Sequence, residues 1–75
     1  MVIDMPMLTT YYVVPFPGFV DIYLQGMTFR FSKESIEIAI GNVKRDKDTF
    51  ATEAAYMETL NIYEVALKQL EESNP

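Results

Sequence analysis

Hydrophobic and polar positions alternate between residues 19 and 31, on both sides of the dipeptide Gln25-Gly26. This alternation is typical of two β-strands joined as a hairpin by a two-residue loop. The hairpin predicts an apolar face on which Val20 lies opposite Phe31, Ile22 opposite Phe29 and Leu24 opposite Met27, and a second face on which Asp21 lies opposite Arg30 and Tyr23 opposite Thr28. Because a shift of one residue would mix the two sets, the pattern also predicts the register.

A further strand precedes this hairpin in the prediction. Residues 9–14 are β-branched or aromatic throughout, which favours a strand, and Pro17-Gly18 suits the centre of a type II turn. The first strand therefore returns directly into the second. Residues 1–8 leave two alternatives, an added sheet edge or a cover over the core, and Pro6 argues against a long strand there.

Two structures are compatible with residues 33–45. Isoleucine alternates with other residues over 36–40, as in a strand that extends the apolar face. Alternatively, Ser32 caps a helix in which Ile36, Ile40 and Val43 share one side. We favour the strand, because Gly41-Asn42 is unfavourable inside a helix and common directly after a strand.

The last element is predicted as a long helix over residues 48–72, which contain no glycine or proline. Asp48 or Thr49 would cap it. An apolar seam recurs along it at spacings of four and three residues: Tyr56, Leu60, Tyr63, Leu67 and Leu70. A weaker apolar band lies on roughly the opposite side: Ala51, Ala55, Ile62, Val65 and Ala66. A helix that is apolar on two sides has two neighbours, here the sheet and either a helix at 33–45 or a second protomer.

These elements predict one small α+β domain over residues 1–75. An antiparallel β-meander of three or four strands, within residues 9–40, packs on the long C-terminal helix over 48–72. The alternative fold has one or more β-hairpins followed by a two-helix hairpin. A mass of 8.6 kDa agrees with a single small core.

Composition excludes several kinds of chemistry. The chain has no cysteine and no histidine, which removes thiolate and Ser-His nucleophiles, disulfides and the usual zinc sites. The segment that contains Asp46, Asp48 and Glu53 does not match a calcium-binding loop, because it has no turn glycine and no acidic residue at the closing ligand position. We therefore expect no enzyme, no cofactor and no metal.

The net charge limits the possible classes of partner, and the N-terminal residues indicate the compartment. A net charge of -5 argues against direct binding to nucleic acid or to an anionic membrane. The N-terminal residues lack the basic region of a signal peptide, and the longest uncharged stretch is interrupted by prolines. These features favour a cytoplasmic protein.

Two sets of residues are candidates for binding another protein. An aromatic patch on the sheet would contain Tyr12, Phe16, Phe19 and Tyr23, and an acidic edge of the long helix would contain Glu53, Glu64 and Glu71. The sequence-based hypothesis is a small acidic protein that forms a homo-oligomer through the apolar seam and that binds and blocks a partner with a basic surface. By class, it compares with small inhibitors of phages and mobile elements.

A second hypothesis is an oligomer that sequesters a small anionic, nucleotide-type ligand. Its phosphates would be held by Arg30, Lys44, Arg45 and Lys47, and Tyr56 or Tyr63 would stack on a base. A third is a structural subunit of a larger assembly.

Overall fold

The computed structural model describes residues 10–73 and has an α+β fold, as predicted. Three strands are followed by two helices: β1 (Tyr11–Phe16), β2 (Phe19–Leu24), β3 (Met27–Phe31), α1 (Lys33–Arg45) and α2 (Glu53–Ser73), with a 3₁₀ turn at Lys47–Thr49 between the helices. The alternatives for residues 1–8 lie outside the described residues.

The strands form an antiparallel sheet of order β1-β2-β3. Every cross-strand pair predicted for the hairpin is confirmed, from Val20 opposite Phe31 to Leu24 opposite Met27. Gln25 and Gly26 both have positive φ, 52° and 78°, the backbone that a two-residue type I′ loop requires. Gly18, at φ 89°, supplies the positive φ of the predicted turn between β1 and β2.

The strand favoured for residues 33–45 is wrong, and the alternative with two helices is confirmed. Helix α1 begins with a capping box in which the Ser35 backbone N–H donates to the Ser32 hydroxyl (3.1 Å) and the Ser32 N–H donates to the Ser35 hydroxyl (2.8 Å). Ile36, fully buried, anchors the first turn in the core. These contacts outweigh the cost of Gly41, about 1 kcal/mol within a helix.

Helix α2 begins later than predicted. Asp48 and Thr49 belong to the 3₁₀ turn, and Thr49 donates its hydroxyl hydrogen to the Asp46 carbonyl at 2.6 Å. The cap is Thr52, whose hydroxyl accepts from the Ala55 backbone N–H at 3.0 Å. Over residues 10–73, neither helix is long and apolar enough to cross a membrane.

The core lies between the sheet and the two helices. Its buried side chains come from β2, α1 and α2: Val20, Ile22, Ile36, Ile62, Ala66 and Leu70. Helix α2 contacts the sheet through β1 and β2, and it contacts α1 along another side. The expectation of two neighbours is confirmed, and the second neighbour is α1 of the same chain.

The apolar seam predicted on α2 is part of this intrachain packing. Tyr56, Leu60 and Leu70 are buried, while Tyr63 and Leu67 are half-buried against the core. Ile62 and Ala66, assigned to the weaker band, are buried as fully as the seam. The seam residues therefore fill the space inside one chain, where the sequence-based hypothesis placed a contact between protomers.

Candidate functional site

One face of the sheet packs on the helices, and the other carries the candidate site. Because side chains alternate along a strand, the residues between the inward-facing Val20, Ile22 and Leu24 point away from the helices. We call this surface the outer sheet face; it consists of Tyr12, Val14, Phe16, Phe19, Asp21, Tyr23, Thr28 and Arg30. Tyr12 and Tyr23 are cross-strand neighbours there, with 66% and 38% of their surface exposed.

Four side chains towards the end of the outer sheet face that is nearest the β1–β2 turn form an ordered cluster, which we call the Arg30 stack: Phe16, Phe19, Asp21 and Arg30. The rings of Phe16 and Phe19 stack at 4.8 Å, and the guanidinium carbon of Arg30 lies 4.0 Å from the centroid of Phe19. Arg30 also donates two hydrogen bonds to Asp21, from Nε to Oδ1 (2.8 Å) and from Nη2 to Oδ2 (3.0 Å). This fork and the ring beneath it fix the guanidinium in one orientation.

The electrostatics of the stack follow from the burial of Asp21, which is only 3% exposed. The hydrogen bonds from Arg30 lower the pKa of the Asp21 carboxyl, although desolvation acts in the opposite direction. The same bonds raise the pKa of Arg30 above its ordinary value. Both groups therefore stay ionised at neutral pH, and the charge of each is compensated by the other.

The structure places the residues predicted to bind a protein on two different surfaces. Tyr12, Phe16, Phe19 and Tyr23 come together on the outer sheet face, as expected for an aromatic patch. The acidic residues Glu53, Glu64 and Glu71 are exposed on α2, which packs against the opposite face of the sheet. Glu71 is also paired with Lys33, whose Nζ lies 3.6 Å from its Oε2. The aromatic patch and the acidic edge are thus two separate surfaces.

The residues predicted to hold an anionic ligand do not converge. Arg30 belongs to the outer sheet face, whereas Lys44 and Arg45 end α1 on the helical side. Lys47 Nζ lies 5.2 Å from the ring centroid of Tyr56, and Arg45 Nε donates to Asp46 at 3.3 Å. Tyr63 instead packs edge-on against the Phe31 ring at 5.5 Å. No cradle for a phosphate forms from this set.

Within residues 10–73, no cluster of three or more carboxylates is placed to hold a metal ion. Asp46 and Asp48 lie at the 3₁₀ turn, where Asp46 is engaged by Arg45, and Glu53 begins the following helix.

Sequence reasoning missed a groove on the inner side of β3. Helix α2 packs mainly on β1 and β2, which leaves 58% of Met27 and 38% of Phe29 exposed. The groove has a volume of about 140 Å³ and is lined by Ile22, Leu24, Phe29, Phe31, Thr59, Ile62 and Tyr63. The Thr59 hydroxyl donates to the Ala55 carbonyl at 2.9 Å. The alternation along β3 marks these positions as inward-facing, but it carries no signal of which strand the helices leave uncovered.

No protein-family model matches the chain, and neither a curated protein nor a solved structure matches it.

Proposed function

We propose that this is a non-enzymatic binding protein that attaches to another protein through its outer sheet face and blocks it. The observation that carries the proposal is the exposure of Tyr12 and Tyr23 as cross-strand neighbours, 66% and 38%, beside an arginine that is already held in place. Tyrosine and arginine, together with tryptophan, are enriched at the energetic centres of protein interfaces.

Preorganisation supports this role for the Arg30 stack. An arginine that is free in solution loses rotamer entropy when a partner immobilises it, at a cost of about 0.5–1.5 kcal/mol. Arg30 is already restrained by Asp21 and by the Phe19 ring, while 63% of its side chain stays exposed. A partner would gain contacts with this guanidinium without ordering it first.

The distribution of charge defines the partner further. Residues 10–31 contain one acid and one base, Asp21 and Arg30, which are paired with each other. The net charge of -5 therefore comes largely from the helices and from outside the outer sheet face. We expect a partner that presents apolar pockets to the two tyrosines and carries a basic surface overall, because the long-range field would accelerate its approach.

Affinity capture with matched variants tests this proposal. Wild-type protein is immobilised and compared with the double variant Tyr12→Ala/Tyr23→Ala and with Met57→Ala, which removes an exposed apolar side chain (52%) from α2. We expect one protein that is retained by the wild type and by Met57→Ala and is lost with the double variant. The activity of that protein should be inhibited by the wild type and spared by the double variant.

Circular dichroism of all three proteins verifies that the variants are folded. A partner that is retained equally by the double variant, or is lost equally with Met57→Ala, contradicts binding through the outer sheet face. A partner that is captured but keeps its full activity contradicts the blocking role.

A further inference from the structure

We propose that β3 is also a self-association edge, at which a second copy of this chain pairs antiparallel to form a continuous six-stranded sheet. This inference goes beyond the proposed function, because it uses the backbone edge and the inner side of β3 instead of the outer sheet face. The pairing would place two outer sheet faces side by side on one surface.

The first observation is that β3 is an edge strand of the sheet. Within residues 10–73, β3 pairs with β2 alone, so half of its backbone donors and acceptors point away from the sheet. Edge strands are usually protected by lysine, proline or a bulge. The five residues of β3, MTFRF, contain no lysine or proline, and their register with β2 is continuous, without a bulge. The charge of Arg30 is directed to Asp21 on the outer sheet face.

The second observation is the apolar side of the same strand. Met27 and Phe29 remain 58% and 38% exposed beside the groove, although they face the side on which the helices lie. A second β3 placed alongside would cover both with inward-facing side chains of the other copy. Cross-strand pairs of aromatic and other apolar side chains of this kind stabilise antiparallel strand pairing.

Geometry selects one register. A two-fold axis perpendicular to the sheet keeps the helices of both copies on the same side, and it requires inward-facing residues to lie opposite inward-facing residues. With the axis at Phe29, all five residues of β3 find partners: Phe29 meets its own copy, Met27 meets Phe31 and Thr28 meets Arg30. An axis at Arg30 would set two arginines opposite each other, and an axis at Thr28 would leave Phe31 unpaired.

Charge explains why the second copy would meet this edge and not the helices. Two chains of net charge -5 repel each other, and the helices carry most of that charge. The strand region is electrically neutral because its one acid and one base are paired. With the axis at Phe29, each Arg30 faces an uncharged threonine, so the edges approach without repulsion between like charges.

Interface size sets the expected strength. Stable complexes bury about 800 Å² on each partner. An edge of five residues with two exposed apolar side chains is smaller than this, so the dimer should be weak and reversible. Its population should rise with protein concentration instead of being complete at the lowest concentration measured.

The absence of cysteine from the chain allows a direct test by disulfide trapping. In the selected register, Phe29→Cys places two thiols directly opposite each other. Opposed residues of antiparallel strands have Cα atoms about 4.5–5.5 Å apart, within the range that a disulfide spans. Met57→Cys, at a site with 52% exposure on α2, is the matched control for random collision.

Under a glutathione redox buffer, we expect Phe29→Cys to form a covalent dimer about tenfold faster than Met57→Cys, because pairing raises the effective concentration of the thiols. Equal rates for the two variants would overturn the proposal. Sedimentation of the unmodified wild type provides a second measurement that does not depend on how well a variant folds. A sedimentation mass that rises from monomer to dimer with protein concentration supports the proposal. A protein that stays monomeric up to millimolar concentration overturns it, even if a foreign peptide is found to bind the same edge.

Discussion

At the residue scale, Asp21 is the least expected feature of the molecule. An aspartate in the central strand of a sheet is unfavourable by intrinsic preference, and this one is only 3% exposed. It is tolerated because both of its oxygens accept hydrogen bonds from Arg30, its cross-strand partner. A buried charge without such a partner would be costly.

The Asp21–Arg30 pair predicts a pH dependence of stability. Since the pKa of Asp21 is lower in the folded protein than in the unfolded chain, the pair contributes stability above about pH 4. That contribution is lost as the pH falls through the folded pKa. We expect the melting temperature of the wild type to fall more steeply between pH 5 and pH 2, as rough limits, than that of Asp21→Asn.

The control for this measurement is Glu53→Gln, which removes an exposed carboxylate from the start of α2. Its pH profile should follow the wild type more closely than the profile of Asp21→Asn does. Identical profiles of melting temperature against pH for the wild type and Asp21→Asn would show that the Asp21–Arg30 pair does not contribute a pH-dependent stability.

At the element scale, residues 33–45 show how tertiary contacts decide between two local patterns. The isoleucines at 36, 38 and 40 alternate as in a strand, yet the chain forms a helix in which Ile36 is fully buried and Ile38 is 58% exposed. The capping box of Ser32 and Ser35 starts that helix directly after β3. The alternation is thus a coincidence of composition, and the signals at the helix ends predicted the structure better.

Helix α1 keeps a weak point at Gly41. Its φ is not positive, and a Cβ added there would meet no atom within 4 Å. We expect Gly41→Ala to raise the free energy of unfolding by about 0.5–1 kcal/mol, because alanine restricts the unfolded chain without strain in the helix. Chemical denaturation measures the change.

Gly26→Ala is the matched control for this glycine. It also has open space around the added Cβ, but its φ of 78° is strained for a residue with a side chain. The free energy of unfolding should fall for Gly26→Ala and rise for Gly41→Ala. A loss of stability in Gly41→Ala would contradict the account of α1.

At the scale of the whole molecule, α2 holds the fold together because it packs on the sheet along one side and on α1 along another. The ion pair between Lys33 and Glu71 joins the start of α1 to the end of α2. Exposed pairs of this kind contribute little, so burial of apolar side chains between the elements supplies most of the stability.

This arrangement predicts the effect of a charge in the α2 seam. Leu60 is 8% exposed, so Leu60→Glu places an unpaired carboxylate in the core and should unfold the chain. Met57→Glu, one turn away on the exposed side of the same helix, should remain folded with a loss of less than about 1 kcal/mol.

Circular dichroism and sedimentation distinguish the two interpretations of the seam. If the seam lay between protomers, Leu60→Glu would give a folded chain of lower mass. The intrachain packing of α2 instead predicts that Leu60→Glu loses the helical circular dichroism signal. Sedimentation should then show no compact folded species of this variant.

Local sequence determined the hairpin of β2 and β3, its register and the clustering of the aromatic residues on one face. Strand alternation and the Gln25-Gly26 loop are local properties, and residues that share a face of a strand pair must lie close together. For the same reason, the cross-strand pair of Asp21 and Arg30 could be placed before the fold was known, whereas the pairing of Tyr12 with Tyr23 came from the structure.

Tertiary structure decided the features that depend on how the layers meet. Contacts between residues far apart in sequence decided whether 33–45 became a strand or a helix, whether the α2 seam packed within one chain, and how much of β3 the helices cover. The acidic residues of α2 were separated from the aromatic patch for this reason, because the helix packs on the opposite face of the sheet. Hydrophobic periodicity shows that one face of a helix or strand is apolar. Only the packing between elements determines what covers that face.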